Sequence, residues 1–158
     1  MNTLIKLNTI QYIMNLNKTL ITKQNQNTKW YIIDAKKYKL GRISSAITYI
    51  LKNKHHPYYL PYTEGNSKII IINSQSIQVT GKKFKQKQYK RHSGRPGGLK
   101  TETFEQLQKR IPNRIVEHAL KGMLPKNSLG RKLFTKVKIY PNAIHPHHNK
   151  NITEINIK

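Results

Sequence analysis

From Trp30 onward the apolar positions fall into two alternating kinds of run. Trp30-Tyr31-Ile32-Ile33 is aromatic and β-branched and stops at Asp34, the pattern of a buried strand. After Gly41, the stretch Arg42 to Lys52 carries Ile43, Ala46, Ile47, Ile50 and Leu51 at i, i+3, i+4, i+7 and i+8, which is one face of a helix. Lys68 to Asn73 holds four consecutive isoleucines, Ile69 to Ile72, between Gly65-Asn66-Ser67 and Asn73-Ser74. An uninterrupted apolar run of that length predicts a strand covered on both faces. Ile77 and Val79 alternate with polar neighbours up to Thr80-Gly81, predicting one more short strand and a turn.

The second half begins with Thr103-Phe104-Glu105-Gln106, a capping-box sequence in which the Thr hydroxyl and the Gln side chain each satisfy a free backbone N–H, so a short helix starts there. A second helix is predicted from Pro112, whose missing N–H is harmless in a first turn, through Ile115, Val116, Ala119, Leu120 and Met123, with Glu117 and Lys121 as an i,i+4 pair and Pro125 as its stop. Asn127 or Ser128 can cap a further helix carrying Leu129, Leu133 and Phe134, and Val137 to Tyr140 predicts an extended segment before Pro141. Strand, helix, strand order with near-continuous apolar strands predicts an α/β fold, a small, mostly parallel sheet covered by helices on both faces.

At 158 residues with no Gly/Ser linker, the chain has room for one folded domain with tails, placed here at residues 29–143. Residues 1–28 contain no acid and no Arg, are rich in Asn, Thr and Gln, and lack a sustained period; they predict a basic N-terminal extension, mobile or ordered by RNA. A transit peptide is the competing reading, although such peptides are usually rich in Arg and Ser, and Met14 is an alternative start. Residues 144–158 return to tail composition.

Charge changes the picture most. Thirty Lys and Arg stand against 6 Asp and Glu, a formal net charge of +24. A compact body with that excess repels itself, and RNA or DNA supplies both dense phosphates and counterions to release on binding. No apolar run reaches the roughly 18 residues of a membrane span. With no Cys in the chain, disulfides, thiolate nucleophiles and cysteine zinc sites are excluded. Lys far outnumbers Arg, and Ile, Asn and Tyr are plentiful, as an AT-rich coding sequence of an organelle would give.

Lys82 to Lys100, KKFKQKQYKRHSGRPGGLK, holds eight Lys or Arg, no acid, and Phe84, Tyr89 and His92 among the charges. Cations for phosphates and aromatic faces for unpaired bases suit folded RNA better than a plain basic tail does; a solvated surface loop is the bland alternative. Within it, Gly94-Arg95-Pro96-Gly97-Gly98 predicts a tight turn, with Pro setting one corner and Gly taking positive φ at the next. Lys121 to Lys138 adds Lys121, Lys126, Arg131, Lys132, Lys136 and Lys138 without an acid, and Lys52 to Tyr59 is a third basic and aromatic stretch whose tyrosines compete for the core.

The histidine pairs His55-His56 and His147-His148 with His145 raise a metal site, but carboxylate or Cys partners on a rigid element are missing, and no metal or cofactor is expected. Asp34 is the only Asp and the five Glu are scattered, so paired-carboxylate and magnesium chemistry have no basis. Ser93 lacks a GxSxG setting, because Arg91 stands at the first Gly position, and neither GxGxxG nor GxxxxGK[ST] occurs.

Several motifs occurring in order resemble a known family. They are Trp30 to Ala35, Leu40-Gly41-Arg42, Val79-Thr80-Gly81-Lys82-Lys83, Tyr89 to Gly94, Pro96 to Lys100, Lys121 to Asn127, Leu129-Gly130-Arg131, Val137 to Tyr140 and His145-Pro146-His147. Together they look like ribosomal protein L-thirteen of the large subunit, over about residues 29 to 148. The resemblance implies a three-layer α/β/α fold, binding to large-subunit rRNA early in assembly, neighbours among other large-subunit proteins, and no enzymatic activity or small-molecule substrate. By position it places the family's RNA-contacting loop on Lys82 to Lys100 and its other basic segment on Lys126 to Lys132. Within these the candidate rRNA contacts are Lys82, Lys83, Lys85, Lys87, Tyr89, Lys90, Arg91, His92, Arg95, Lys100, Lys126, Asn127, Arg131 and Lys132, and Arg42, Lys52, Lys54 and His55 join them as further basic candidates. The leader is longer than in typical bacterial members, and Asn17 to Ile21 is similar to plastid-encoded versions, so a plastid (chloroplast) ribosome is expected, with mitochondrial or bacterial ribosomes as alternatives. A small enzyme using a phosphate-bearing substrate and a DNA-packaging protein are the rival classes; the first lacks acids and phosphate motifs, the second any helix-turn-helix, zinc-finger or basic-zipper pattern.

Overall fold

The computed structural model describes residues 28–57 and 59–157. The extension, the transit-peptide reading and the Met14 start therefore lie outside the described residues. Strands β1 (Lys29–Asp34) and β2 (Ser67–Ile72) pair in parallel with Lys29 opposite Ser67 and Asp34 opposite Ile72. Strand β5 (Val137–Ile139) pairs with β2, and β6 (Ile152–Glu154) pairs with β1, both in parallel, giving the order β5-β2-β1-β6. Parallel strands need crossovers, and α1 (Leu40–Leu51) supplies the one from β1 to β2. The connection from β2 to β5 carries α2 (Lys83–Gln86), a separate hairpin of β3 (Gln88–His92) and β4 (Leu99–Thr103), and then α3 (Phe104–Arg110), α4 (Pro112–Met123) and α5 (Ser128–Thr135). A parallel sheet flanked by helices agrees with the expected α/β class and is consistent with a three-layer α/β/α arrangement.

The isoleucine run is buried because both faces of β2 are covered: Ile69, Ile70 and Ile71 are each 0% exposed. Ile69 and Ile71, with Ile33 of β1, join the main core made by Ile43, Ile47 and Leu51 of α1, Phe104 and Leu107 of α3, Ile115, Val116 and Leu120 of α4 and Leu133 of α5. Each such side chain contributes about 1.5–3 kcal/mol by leaving water. The opposite face displays Trp30 and Ile70. There the C-terminal segment lies over the sheet, with the His147 ring 5.2 Å from that of Trp30 and Lys68 Nζ 4.9 Å above the indole.

Helix α1 starts at Leu40, two residues before the predicted onset, and its buried stripe is Leu40, Ile43, Ser44, Ile47, Thr48 and Leu51. The two hydroxyls are tolerated inside because Ser44 Oγ and Thr48 Oγ1 donate to the carbonyls of Leu40 and Ser44, each at 2.8 Å. The capping box at α3 forms as predicted, and so does Pro112 at the start of α4. Lys121, however, sits 4.7 Å from the Phe134 ring centroid, and Glu117 makes no ion pair among the described residues.

Three segments differ from expectation. Ile77 and Val79 pack inward, but their stretch forms only a single bridge, Gln78 to Lys39, because it runs beside the start of α1 where no sheet edge is open. Lys82 to Lys100 is not a loop but a helical turn and an antiparallel hairpin. The stretch with tail composition contains β6, whose three residues extend the sheet beside β1, while Ile155 and Ile157 pack against the edge of the core.

Candidate nucleic-acid interface

The hairpin pairs Gln88 with Thr103, Tyr89 with Glu102, Lys90 with Thr101, Arg91 with Lys100 and His92 with Leu99. Directly opposed residues share a face of the ribbon, so Tyr89, Arg91, Lys100 and Glu102 lie on one side and Lys90, His92, Leu99 and Thr101 on the other. Its tip closes as the sequence predicts. Gly98 N donates to Arg95 O at 3.0 Å across Pro96 and Gly97, and Gly97 has φ +71°, the combination of a type II turn. His92 Nδ1 accepts from Gly94 N at 2.9 Å, which orients that ring.

The base of the hairpin is fixed by aromatic packing. Phe104 touches Phe84 and Tyr89 with ring centroids at 5.7 and 6.5 Å, and the Tyr89 ring meets His118 edge-on at 5.3 Å. Lys87 Nζ lies 5.4 Å from the Tyr89 centroid, and Phe104 N donates to Lys87 O at 2.8 Å. Burial of the Tyr89 phenol raises its pKa. Tyr89, named from the sequence as a stacking candidate, is thus half-buried and engaged in mounting the ribbon. Every other residue from Lys82 to Gly97 is exposed.

Electrostatics set this ribbon apart. The ion pairs are Lys37–Glu154, Lys109–Glu105, Arg110–Glu102, and Lys132 and Lys136 with Glu64. None of Lys82, Lys83, Lys85, Lys87, Lys90, Arg91, Arg95 and Lys100 has a carboxylate partner among the described residues.

A second basic group lies around the start of α5. Asn127 caps α5, its side chain accepting from Gly130 N at 2.9 Å, while Lys126, Arg131 and Lys132 are exposed. Glu64 joins this helix to the chain that follows α1: it binds Lys132 at 3.4 Å and Lys136 at 2.9 Å, and Lys136 also donates to Gly65 O at 2.8 Å. The Lys136 hydrogen bond, aided by Lys132, holds the Glu64 carboxyl below the usual carboxylate range despite partial desolvation. Lys52, Lys54 and His55 stand on that following segment, with His55 against Tyr49 and its pKa lowered by burial, by His56 and by the Lys29 charge. The structure therefore ties α5 to the segment after α1 through Glu64, keeps the hairpin on α3 and α4, and leaves Arg42 exposed in the first turn of α1.

Gly130 is buried, and a Cβ there would collide with the carbonyl oxygen of Pro125. Gly130→Ala is expected to destabilise the protein by about 1–3 kcal/mol through overpacking, read as a lower urea midpoint with an unchanged m-value.

Sequence reasoning did not pick out Arg110, Arg114 and His118, which come from α3 and α4 to face the hairpin around a cavity shared with Tyr89, Arg91 and Lys100. Only the return of the ribbon onto those helices assembles the group; the signal in the sequence was two arginines four apart on either side of Pro112.

In open α/β sheets small ligands bind where the strand order reverses, beyond the carboxyl ends of the strands, here between β1 and β6. That crevice is bridged by Lys37–Glu154 at 2.7 Å and by Ile157 N donating to Tyr38 Oη at 3.0 Å, while Asp34 is engaged by Lys36 N and Asn73 Nδ2. No described helix is long and apolar enough to cross a membrane.

Comparison with known proteins agrees with this chemistry. The family model for ribosomal protein L13 matches residues 28–146. The large ribosomal subunit protein uL13c of Porphyra purpurea is 57% identical over 132 residues, 84% of this chain and 93% of the relative. The uL13 proteins of Rippkaea orientalis and Trichormus variabilis are 55% and 50% identical, covering 84% and 90% of this chain and 88% and 95% of their own lengths. With its exposed, unpaired cations on a small α/β body, the chain belongs to the ribosomal protein L13 family, structural and non-enzymatic components of the large ribosomal subunit.

Proposed function

We propose that the protein holds large-subunit rRNA chiefly through the β3–β4 ribbon, using Lys82, Lys83, Lys85, Lys87, Lys90, Arg91, His92, Arg95 and Lys100, and through a second basic group of Lys126 and Arg131, with Lys52, Lys54 and His55 as further contacts. The observation that carries this reading is that eight cations from Lys82 to Lys100 are exposed and have no carboxylate partner among the described residues, so an external polyanion relieves their repulsion. Two of the remaining candidates also serve the fold, Asn127 as a helix cap and Lys132 as a partner of Glu64, and Tyr89 contributes by mounting the ribbon. Arg42 adds a separate point of contact. Binding of this kind supports assembly of the subunit by neutralising phosphates that would otherwise repel. Similarity to a red-algal uL13c and to cyanobacterial uL13 proteins assigns the chain to the plastid ribosome.

The test is to purify large subunits from the source compartment and to measure binding of the full chain to the large-subunit transcript. Presence of the chain in the subunits and an affinity that falls steeply with salt are expected; absence from the subunits, or preference for duplex DNA over folded rRNA in competition, rejects the proposal.

A further inference from the structure

Between the inner face of the ribbon and helices α3 and α4 lies a cavity of about 170 Å³. Lys90, Arg91, Lys100, Arg110 and Arg114 line it, against a single carboxylate, Glu102. That carboxylate binds Arg110 through both oxygens, at 2.7 and 2.6 Å, so one guanidinium is committed. Arg91 and Arg114 have no side-chain hydrogen bond or ion pair among the described residues, yet both lie close enough to hold the Glu102 carboxyl further below its ordinary range, after the larger effect of Arg110. Tyr89 also lines the cavity, while its hydroxyl is buried beneath the surface and makes no hydrogen bond among the described residues.

Unpaired guanidiniums and an ammonium group around one space define a site for an anion with several acceptor oxygens. Size narrows the choice. Pockets for whole small-molecule ligands begin at about 300 Å³, so this space suits a phosphate group but not a complete nucleotide. We propose that the cavity takes a single phosphodiester of the rRNA backbone, held by Arg91, Arg114 and Lys100, while Glu102 occupies Arg110 and repels free anions. The proposal rests on the rRNA-binding reading above and deepens it by adding two helical residues, Arg110 and Arg114, to the ribbon. Because Glu102 opposes anion entry, the notch favours a phosphate delivered by a larger bound RNA over a free one.

The experiment uses the full chain and a transcript of the large-subunit rRNA, with binding followed over a salt series. Arg114→Gln is expected to weaken binding roughly tenfold and to lower the slope of log affinity against log salt by about one. Lys109→Gln, which removes an exposed cation outside the cavity, should leave the slope within error. Glu102→Gln should act in the opposite sense, binding the transcript several-fold more tightly, a gain that misfolding does not produce. If unaltered protein binds the transcript but Arg114→Gln, folded by circular dichroism, keeps the full slope, the notch is wrong while the rRNA-binding reading stands. Should Arg114→Gln fail to fold, unchanged or weaker binding by Glu102→Gln overturns the notch by itself. If the unaltered protein ignores the transcript, the broader reading fails. Inorganic phosphate at constant ionic strength separates the sources: saturation at micromolar phosphate with no effect of Arg114→Gln on RNA would assign the site to a free phosphate compound and overturn the RNA assignment.

Discussion

Replacing Lys87, Lys90, Arg91 and Arg95 together with alanine is expected to lower the salt slope of rRNA binding by about three and the affinity at moderate salt by about a hundredfold. Each phosphate neutralised by the protein releases counterions worth about 0.7–0.9 in that slope, and four contacts are removed at once. The fold should survive, because these side chains are exposed and leave no carboxylate orphaned. Filter binding across a salt series reads both numbers. A slope equal to that of the unaltered chain would exclude the ribbon as the principal contact, whatever the change in affinity at one salt concentration.

Phe104→Ala probes the mount instead of the charges. Phe104 is fully buried at the junction of β4 and α3, with Phe84 and Tyr89 packed on it. Truncating a buried phenylalanine costs about 3–5 kcal/mol, a large share of the roughly 5–15 kcal/mol by which a domain of this kind is stable. Urea denaturation should show the loss directly. Because no cation is removed, rRNA affinity should fall while the salt slope is retained, whereas both fall in the fourfold alanine variant. Phe104→Leu keeps most of the volume and should recover most of the stability. Full stability in Phe104→Ala would mean that the ribbon is not anchored through this residue.

The contrast between these two variants follows from how the interface is built. Charges are supplied by residues with little local structural role, whereas their placement depends on a few aromatic contacts. An rRNA ligand meeting such a surface finds cations already held in a ribbon, so less conformational entropy is lost on binding than a free basic tail would lose.

Much of the architecture was written in local pattern. The isoleucine run at Ile69 to Ile72, the stripe from Ile43 to Leu51, the Thr103 to Gln106 capping box, Pro112 at a helix start and Asn127 at another each reappear as the element expected. These signals are legible because the forces behind them act between residues within a few positions of each other, or between one face of an element and water. The Arg95-Pro96-Gly97-Gly98 turn belongs with them, since fixed φ at proline and free φ at glycine are covalent properties.

Other features depended on partners far away in the chain. Gln88–His92 and Leu99–Thr103 carry no hydrophobic period, for neither is covered by a core on a full face, and only their mutual hydrogen bonds and the anchor on Phe104 make them a ribbon. Ile152–Glu154 becomes a strand because β1 leaves an open parallel edge, and Ile77 to Val79 does not because no edge lies beside it. The polyanion partner was thus dictated by composition, through charge that the chain cannot neutralise internally. Which cations converge with Arg110 and Arg114, and which polar groups are spent on caps and ion pairs, was decided by folding alone, since contacts between distant segments leave no periodic trace in either one.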